Sequence, residues 1–173
     1  MASFSHAEAF REALVWAMAE HPYRKQVHVY TVPEYARMRL WLTPDSMGGC
    51  AVTPDGDLVS VFRHPRGESI SSILREATED AKTLDCFDTD DFLPILYAGY
   101  GFVHVSTVRF DPEQAPDGWD TETDGTPNVA LMLHRRLVVN NVPETPIFCL
   151  SWTFAEYVRD YVAGKNRGEL LRM

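Results

Sequence analysis

Leu58-Val59-Ser60-Val61-Phe62-Arg63-His64-Pro65-Arg66-Gly67-Glu68-Ser69 decides how this chain is read. An apolar, β-branched run, Leu58–Arg63, enters a Pro-Arg-Gly turn, and a helix to about Ala81 is expected to follow. Ile70, Ile73, Leu74 and Ala77 repeat at helical spacing and give that helix one apolar face. Amides at a helix start lack intrahelical acceptors, and the helix dipole adds partial positive charge there. Gly67 lets the backbone approach a ligand with no Cβ in the way. The stretch His64–Ser69 therefore reads as a turn able to cradle a diphosphate, with Arg63 and Arg66 adding charge-assisted contacts. An ordinary strand-to-helix turn is the plain alternative.

Upstream, Gly49–Thr53 and Leu58–Arg63 are separated by Pro54-Asp55-Gly56-Asp57, the chemistry of a hairpin turn. Gln26–Thr31 alternates as a strand would, and Pro33 opens a short helix through about Arg39. The N-terminal stretch carries Ser5 three residues before Glu8, a capping-box spacing. Phe10, Ala13, Leu14, Ala17 and Met18 then form one buried face, and His21-Pro22 stops the helix.

Downstream, Thr83–Phe87 is expected as a strand and Asp91–Tyr100 as a helix stopped at Gly101. Phe102–Phe110 reads as a strand, Asp111–Pro127 as a long polar loop, Asn128–His134 as a strand and Phe154–Ala163 as a closing helix. The strand–helix–strand crossover around the turn implies a parallel pair inside a mixed sheet. The expected class is α/β (α+β), a mixed central sheet flanked by helices. The 173 residues are expected to form one domain, 1–173, and 45% hydrophobic residues suffice for a core.

Composition narrows the partners. A net charge of −9 disfavours nonspecific nucleic-acid binding. It suits a cationic substrate, and equally suits any soluble protein. No apolar run spans a membrane and no signal peptide opens the chain, so a cytoplasmic location is expected. Cys50, Cys86 and Cys149 are odd in number, widely spaced and set among apolar residues, as buried thiols would be. No metal-ligand spacing appears, so no metal is expected.

Taken together, Gly56–Phe62, the turn and helix after it, Leu84–Asp88 and Phe92–Phe102 resemble the core of the acyl-coenzyme A N-acyltransferase (GNAT) superfamily. There, a strand delivers the pantetheine arm to a Q/R-x-x-G-x-G/A turn, and a later helix carries an FY-x-x-x-GF signature. In this chain the signature reads Leu96-Tyr97-Ala98-Gly99-Tyr100-Gly101-Phe102. Aligning Gly67 with the family glycine places His64 where Gln or Arg is usual, and Ser69 where Gly or Ala is usual. The resemblance covers Gly49–Phe110 well and Asn128–His134 loosely.

It implies a GNAT-like fold and transfer of an acetyl or other acyl group from acyl-coenzyme A to an amine. Backbone N–H groups near Val61 and Phe62 would polarise the thioester carbonyl. The amides of Arg66, Gly67, Glu68 and Ser69 would hold the pyrophosphate, flanked by Arg63. Tyr97 would protonate the leaving thiolate, a phenol and a thiol having similar pKa values. Asp88 is the first candidate to deprotonate the amine, with Asp85 and Glu34 behind it. The acceptor is a small-molecule or protein amine. Apart from the resemblance, the length of the loop suggests a binding element in which Trp119 would cover a substrate and Asp117 and Asp120 attract a cation, the plain alternative being a surface loop with a tucked-in tryptophan. Trp152, Phe154 and Tyr157 would anchor the last helix or contact a second copy in a homodimer. Two other classes compete. One is a catalytically inactive module of the same fold acting by protein contact. The other is a phosphate or nucleotide hydrolase, which the missing G-x-x-x-x-G-K-[ST] loop disfavours.

Overall fold

The computed structural model describes residues 2–89, 92–116 and 118–139 of the chain. The expected helix Phe154–Ala163, together with Cys149, Trp152 and Tyr157, lies outside the described residues. The architecture is mixed α/β, with two three-stranded antiparallel sheets and flanking helices. The chain divides into two compact units.

The first unit runs to Ala81 and includes 116–119. Helix α1 (Phe4–Met18) is capped by Ser3, whose side chain accepts from the His6 N–H at 3.3 Å, two residues before the cap expected at Ser5. Its inner face is Ala7, Phe10, Leu14, Ala17 and Met18. Of the strand expected over Gln26–Thr31, Gln26 ends a 3-10 turn, and Val27 and Thr31 have extended backbones. The alternation of residues 27–31 is that of a strand, and among the described residues no strand pairs with them. Helix α2 (Val32–Tyr35) opens with a capping box between Thr31 and Glu34. Strand β1 (Arg39–Leu42), which begins where the helix expected from Pro33 was to end and where no strand was expected, pairs with β2 (Gly48–Val52), and β2 pairs with β3 (Leu58–Arg63). The β2–β3 hairpin turns at Gly56, whose φ of +95° suits a residue without Cβ.

Strand β2 is buried along its whole length. Ala51 joins the cluster under α1 with Phe10, Leu14, Tyr35, Val59 and Phe62, while helix α3 (Ser71–Asp80) packs against β2 and β1. A strand covered on both faces loses polar alternation, and Gly-Gly-Cys-Ala-Val shows that pattern. Cys50 is fully buried, and burial, reinforced by the negative charge of Glu76, pushes its thiol up to about 12.

The second unit spans 82–115 and continues from 120. It holds β4 (Thr83–Asp88), α4 (Phe92–Ala98), β5 (Phe102–Val108), β6 (Asn128–His134) and a last described helix, α5 (Arg135–Val139). The strand order is β4-β6-β5, so β6 is central, and Val129–Leu133 are all buried. Gly101, at φ +93°, takes the left-handed step that turns the chain into β5. Cys86 on β4 is buried, and burial with the charges of Asp85 and Asp88 pushes its thiol up to about 12.

Every strand pair among the described residues is antiparallel. The β3–α3–β4 crossover was expected to join two parallel neighbours of one mixed sheet. Instead its strands belong to different hydrogen-bonded sheets. The physical reason lies in the partners: β4 takes β6, brought back by the long loop, and β3 takes β2 through the hairpin.

Candidate functional site

The residues flagged in the first unit follow one another along β3 and the turn after it. Gly49 pairs with Phe62 and Ala51 with Val59, so Cys50 alone faces both Ser60 and Val61. This is a β-bulge, in which one extra residue leaves the ladder and bends the strand. Ser60 takes a φ of +50°, a left-handed conformation unusual for a residue with a Cβ. Its hydroxyl donates to the carbonyl of His28 at 3.1 Å and meets the Tyr35 hydroxyl at 2.9 Å. Val61 is half-buried, and Phe62 is buried in the core against Phe10, ring to ring at 5.6 Å. Among the described residues β3 pairs with β2 alone, so it is the edge of its sheet.

The turn at 64–69 is tightly tied. The His64 N–H donates to the Met47 carbonyl at 2.7 Å, and the Gly67 N–H donates to the His64 carbonyl at 2.8 Å. The Arg66 N–H donates to Nδ1 of His64 at 3.1 Å, and the Glu68 N–H donates to Oδ2 of Asp45 at 2.8 Å. Three of the four amides expected to await a diphosphate, those of Arg66, Gly67 and Glu68, are thus bonded to protein acceptors. The cause is the β1–β2 loop, which lays Asp45 and the Met47 carbonyl against the turn.

Arg63 is bonded to the turn as well. Its guanidinium donates to the carbonyls of Glu68 at 3.1 Å and Gly67 at 3.0 Å, closing the turn from the strand side. Arg66 is exposed. Ser69 points its hydroxyl at Ser71 Oγ, 2.9 Å away, on the threshold of α3, where Ile70 caps the helix without a side-chain hydrogen bond. A Cβ on Gly67 would stand 2.7 Å from the Met47 Cβ, so the glycine is needed for the β1–β2 loop itself to approach. His64 stacks on Trp16 of α1 with ring centroids 4.9 Å apart.

Asp45 is the residue that sequence reading missed. Its carboxylate accepts from the Thr43 hydroxyl and from the N–H groups of Met47 and Glu68. Those three donors, the Thr43 hydroxyl first, hold its pKa below the ordinary carboxylate value. The signal available was Thr43-x-Asp45, a side-chain turn pattern, but nothing in it points to a loop 23 residues further on. His21 is held below the usual histidine range by burial and by the proximity of His64.

Tyr97 and Asp88 belong to the second unit. Tyr97 lies on the buried side of α4, 7% exposed, with its ring edge-on to Phe102 at 6.4 Å. Asp88 is half-buried at the end of β4, opposite Asn128. Asp85 is buried in mid-strand opposite Leu131. Glu34, the other candidate base, uses one carboxylate oxygen to accept from both the N–H and the hydroxyl of Thr31 and caps α2. In the 111–127 loop, Trp119 is half-buried, Asp120 accepts from the Glu122 N–H and the Thr123 hydroxyl, and Asp117 lies outside the described residues. Among those residues no group of three or more His, Cys, Asp or Glu is placed to hold a metal ion, and no helix is long and apolar enough to cross a membrane.

The chain matches no family model, and no curated protein is significantly similar to it.

Proposed function

We propose that this chain is a GNAT-like N-acyltransferase that moves an acetyl or related acyl group from acyl-coenzyme A to an amine. One observation carries the reading: a bulged edge strand, β3, runs directly into the turn that opens α3. An edge strand offers backbone groups to an extended partner, here the amide-bearing pantetheine arm. A bulge takes one residue out of the regular ladder at Ser60–Val61, and this reading assigns a backbone N–H near Val61 and Phe62 to polarising a thioester carbonyl. The succession strand, turn, helix, strand, helix, Gly101-Phe102 also follows the order the resemblance implies.

In this reading the edge of β3 holds the thioester while the turn, with Arg66, meets the diphosphate. Binding then requires the Arg66, Gly67 and Glu68 amides to exchange their protein acceptors for phosphate oxygens. The amine gives up a proton as its nitrogen bonds to the carbonyl carbon, the carbon–sulfur bond breaks, and the departing thiolate takes up a proton; the resemblance assigns the base to Asp88 and the acid to Tyr97. Most of the acceleration comes from holding amine and thioester together.

Titration calorimetry with coenzyme A tests this. Binding is expected, weakened at least several-fold by Arg66→Glu, since a charge-assisted contact to phosphate becomes a repulsion. Absence of any heat at millimolar coenzyme A would overturn it.

The second reading, a catalytically inactive module of the same fold, is favoured by the three bonded amides. It expects no coenzyme A binding, a protein partner in pull-downs, and no consequence of Tyr97→Phe in cells.

A further inference from the structure

We propose that Tyr35 and Ser60 are positioning residues that fix the β3 bulge so that the Val61 backbone presents its N–H to the thioester carbonyl. The inference rests on the acyltransferase reading and assigns part of its machinery to residues that touch no substrate.

The argument starts from the backbone. A left-handed φ is the province of glycine, and a residue with a Cβ holds it only where the surroundings over-determine it. At Ser60 the surroundings do so through a directed chain of hydrogen bonds. The Tyr30 N–H donates to the Tyr35 hydroxyl oxygen at 3.3 Å. Ser60 donates its single hydroxyl proton to the His28 carbonyl at 3.1 Å. The 2.9 Å contact between the two hydroxyls is therefore a donation from Tyr35 to Ser60. The chain of donors runs from Tyr30 through Tyr35 and Ser60 to His28. It ties the bulge to the segment 28–30, which pairs with no strand among the described residues.

Burial makes the chain stiff. Tyr35 is 0% exposed and Ser60 3%, and the Tyr35 ring packs against Phe10 at 5.0 Å and Tyr30 at 5.6 Å. Burial also raises the Tyr35 pKa, which keeps the phenol a donor. In such a site hydrogen bonds are stronger and an orphaned group is costly, so the network has one arrangement. A donor aimed at developing charge is effective only when it need not reorganise. Val61 follows Ser60 directly, so the torsion of Ser60 sets the orientation of the peptide between them.

The test reads the carbonyl itself and needs no amine. Acetyl-coenzyme A labelled with carbon-13 at the thioester carbonyl is bound to wild type, Tyr35→Phe and Ser60→Gly, and the bound resonance is compared with the free one. In wild type the resonance should move downfield, as for a polarised carbonyl. In Tyr35→Phe it should return most of the way to the free position, with affinity changed by less than about threefold, because the coupling is to the carbonyl and not to overall binding. Ser60→Gly accepts the φ without strain and keeps the protein folded if the phenylalanine variant is not. It loses the hydroxyl and should show the same return. An unchanged downfield resonance in a folded variant that still binds overturns the inference and leaves the acyltransferase reading standing. So does wild-type binding with no displacement of the carbonyl. If wild type binds no acetyl-coenzyme A at all, the acyltransferase reading itself fails.

Discussion

Asp45 shows how one side chain governs a neighbouring backbone. Its carboxylate collects the Thr43 hydroxyl and the Met47 and Glu68 N–H groups, and by the last of these it fastens the turn to the β1–β2 loop. Three donors to one carboxylate favour its ionised form and lower its pKa from 3.8. A carboxyl with a depressed folded pKa contributes stability that is complete above the unfolded value and is lost as pH falls through the folded one. Asp45→Asn should therefore be less stable than wild type at neutral pH, and the two should converge as the pH drops below about 4. Urea unfolding of both proteins across that range checks this, and a gap that stays constant with pH would contradict the role. At the same scale, Gly67 was recognisable as a place where a Cβ is unwelcome. What approaches it, the Met47 segment, was not, because the two are 20 positions apart and no local pattern links them.

Among the elements, α1 is the best example of order written into periodicity. Phe10, Leu14, Ala17 and Met18 follow helical spacing, and all are buried. Phe10 touches the rings of both Tyr35 and Phe62, so it joins the helix to the bulged strand and to the hydrogen-bond chain beneath it. Phe10→Ala should cost about 3–5 kcal/mol, the range for emptying a well-packed aromatic site. Equilibrium denaturation at 25 °C measures this, and a loss below about 1 kcal/mol would mean the helix is not anchored there. Strands Leu58–Arg63 and Asn128–His134 were legible to the residue from apolar runs bounded by turns. Residues 27–31 alternate as a strand would, yet among the described residues they pair with no strand, for a ladder also needs a partner edge. Arg39–Leu42 was obscured by the opposite effect: its ladder with β2 overrides an indifferent local pattern.

For the whole molecule, charge is the property that composition settles. A net charge of −9 and an isoelectric point near 5.0 keep the protein self-repelling at neutral pH and bring it to neutrality in mild acid. Solubility should therefore be lowest near pH 5, and light scattering across pH 4 to 8 at low salt should peak there. A protein equally soluble at pH 5 and pH 7 would show that local charge segregation outweighs the net value. The β4-β6-β5 sheet belongs to this scale too, because β6 reaches its place between β4 and β5 only after the 111–127 loop, whereas β1, β2 and β3 pair with their neighbours in sequence.

The amino-acid order alone determined the α/β class, the inner face of α1, the hairpin at Pro54–Asp57 and the turn-then-helix after β3. These features depend on neighbours within a few positions, where side-chain period and turn chemistry act directly. Tertiary structure alone decided that β6 inserts between β4 and β5, that Ser60 sits in a bulge, and that Asp45 and the Met47 carbonyl engage the turn. Those outcomes depend on hydrogen bonds between segments distant in sequence, and a donor's partner is set by which acceptor the packed core brings within 3 Å.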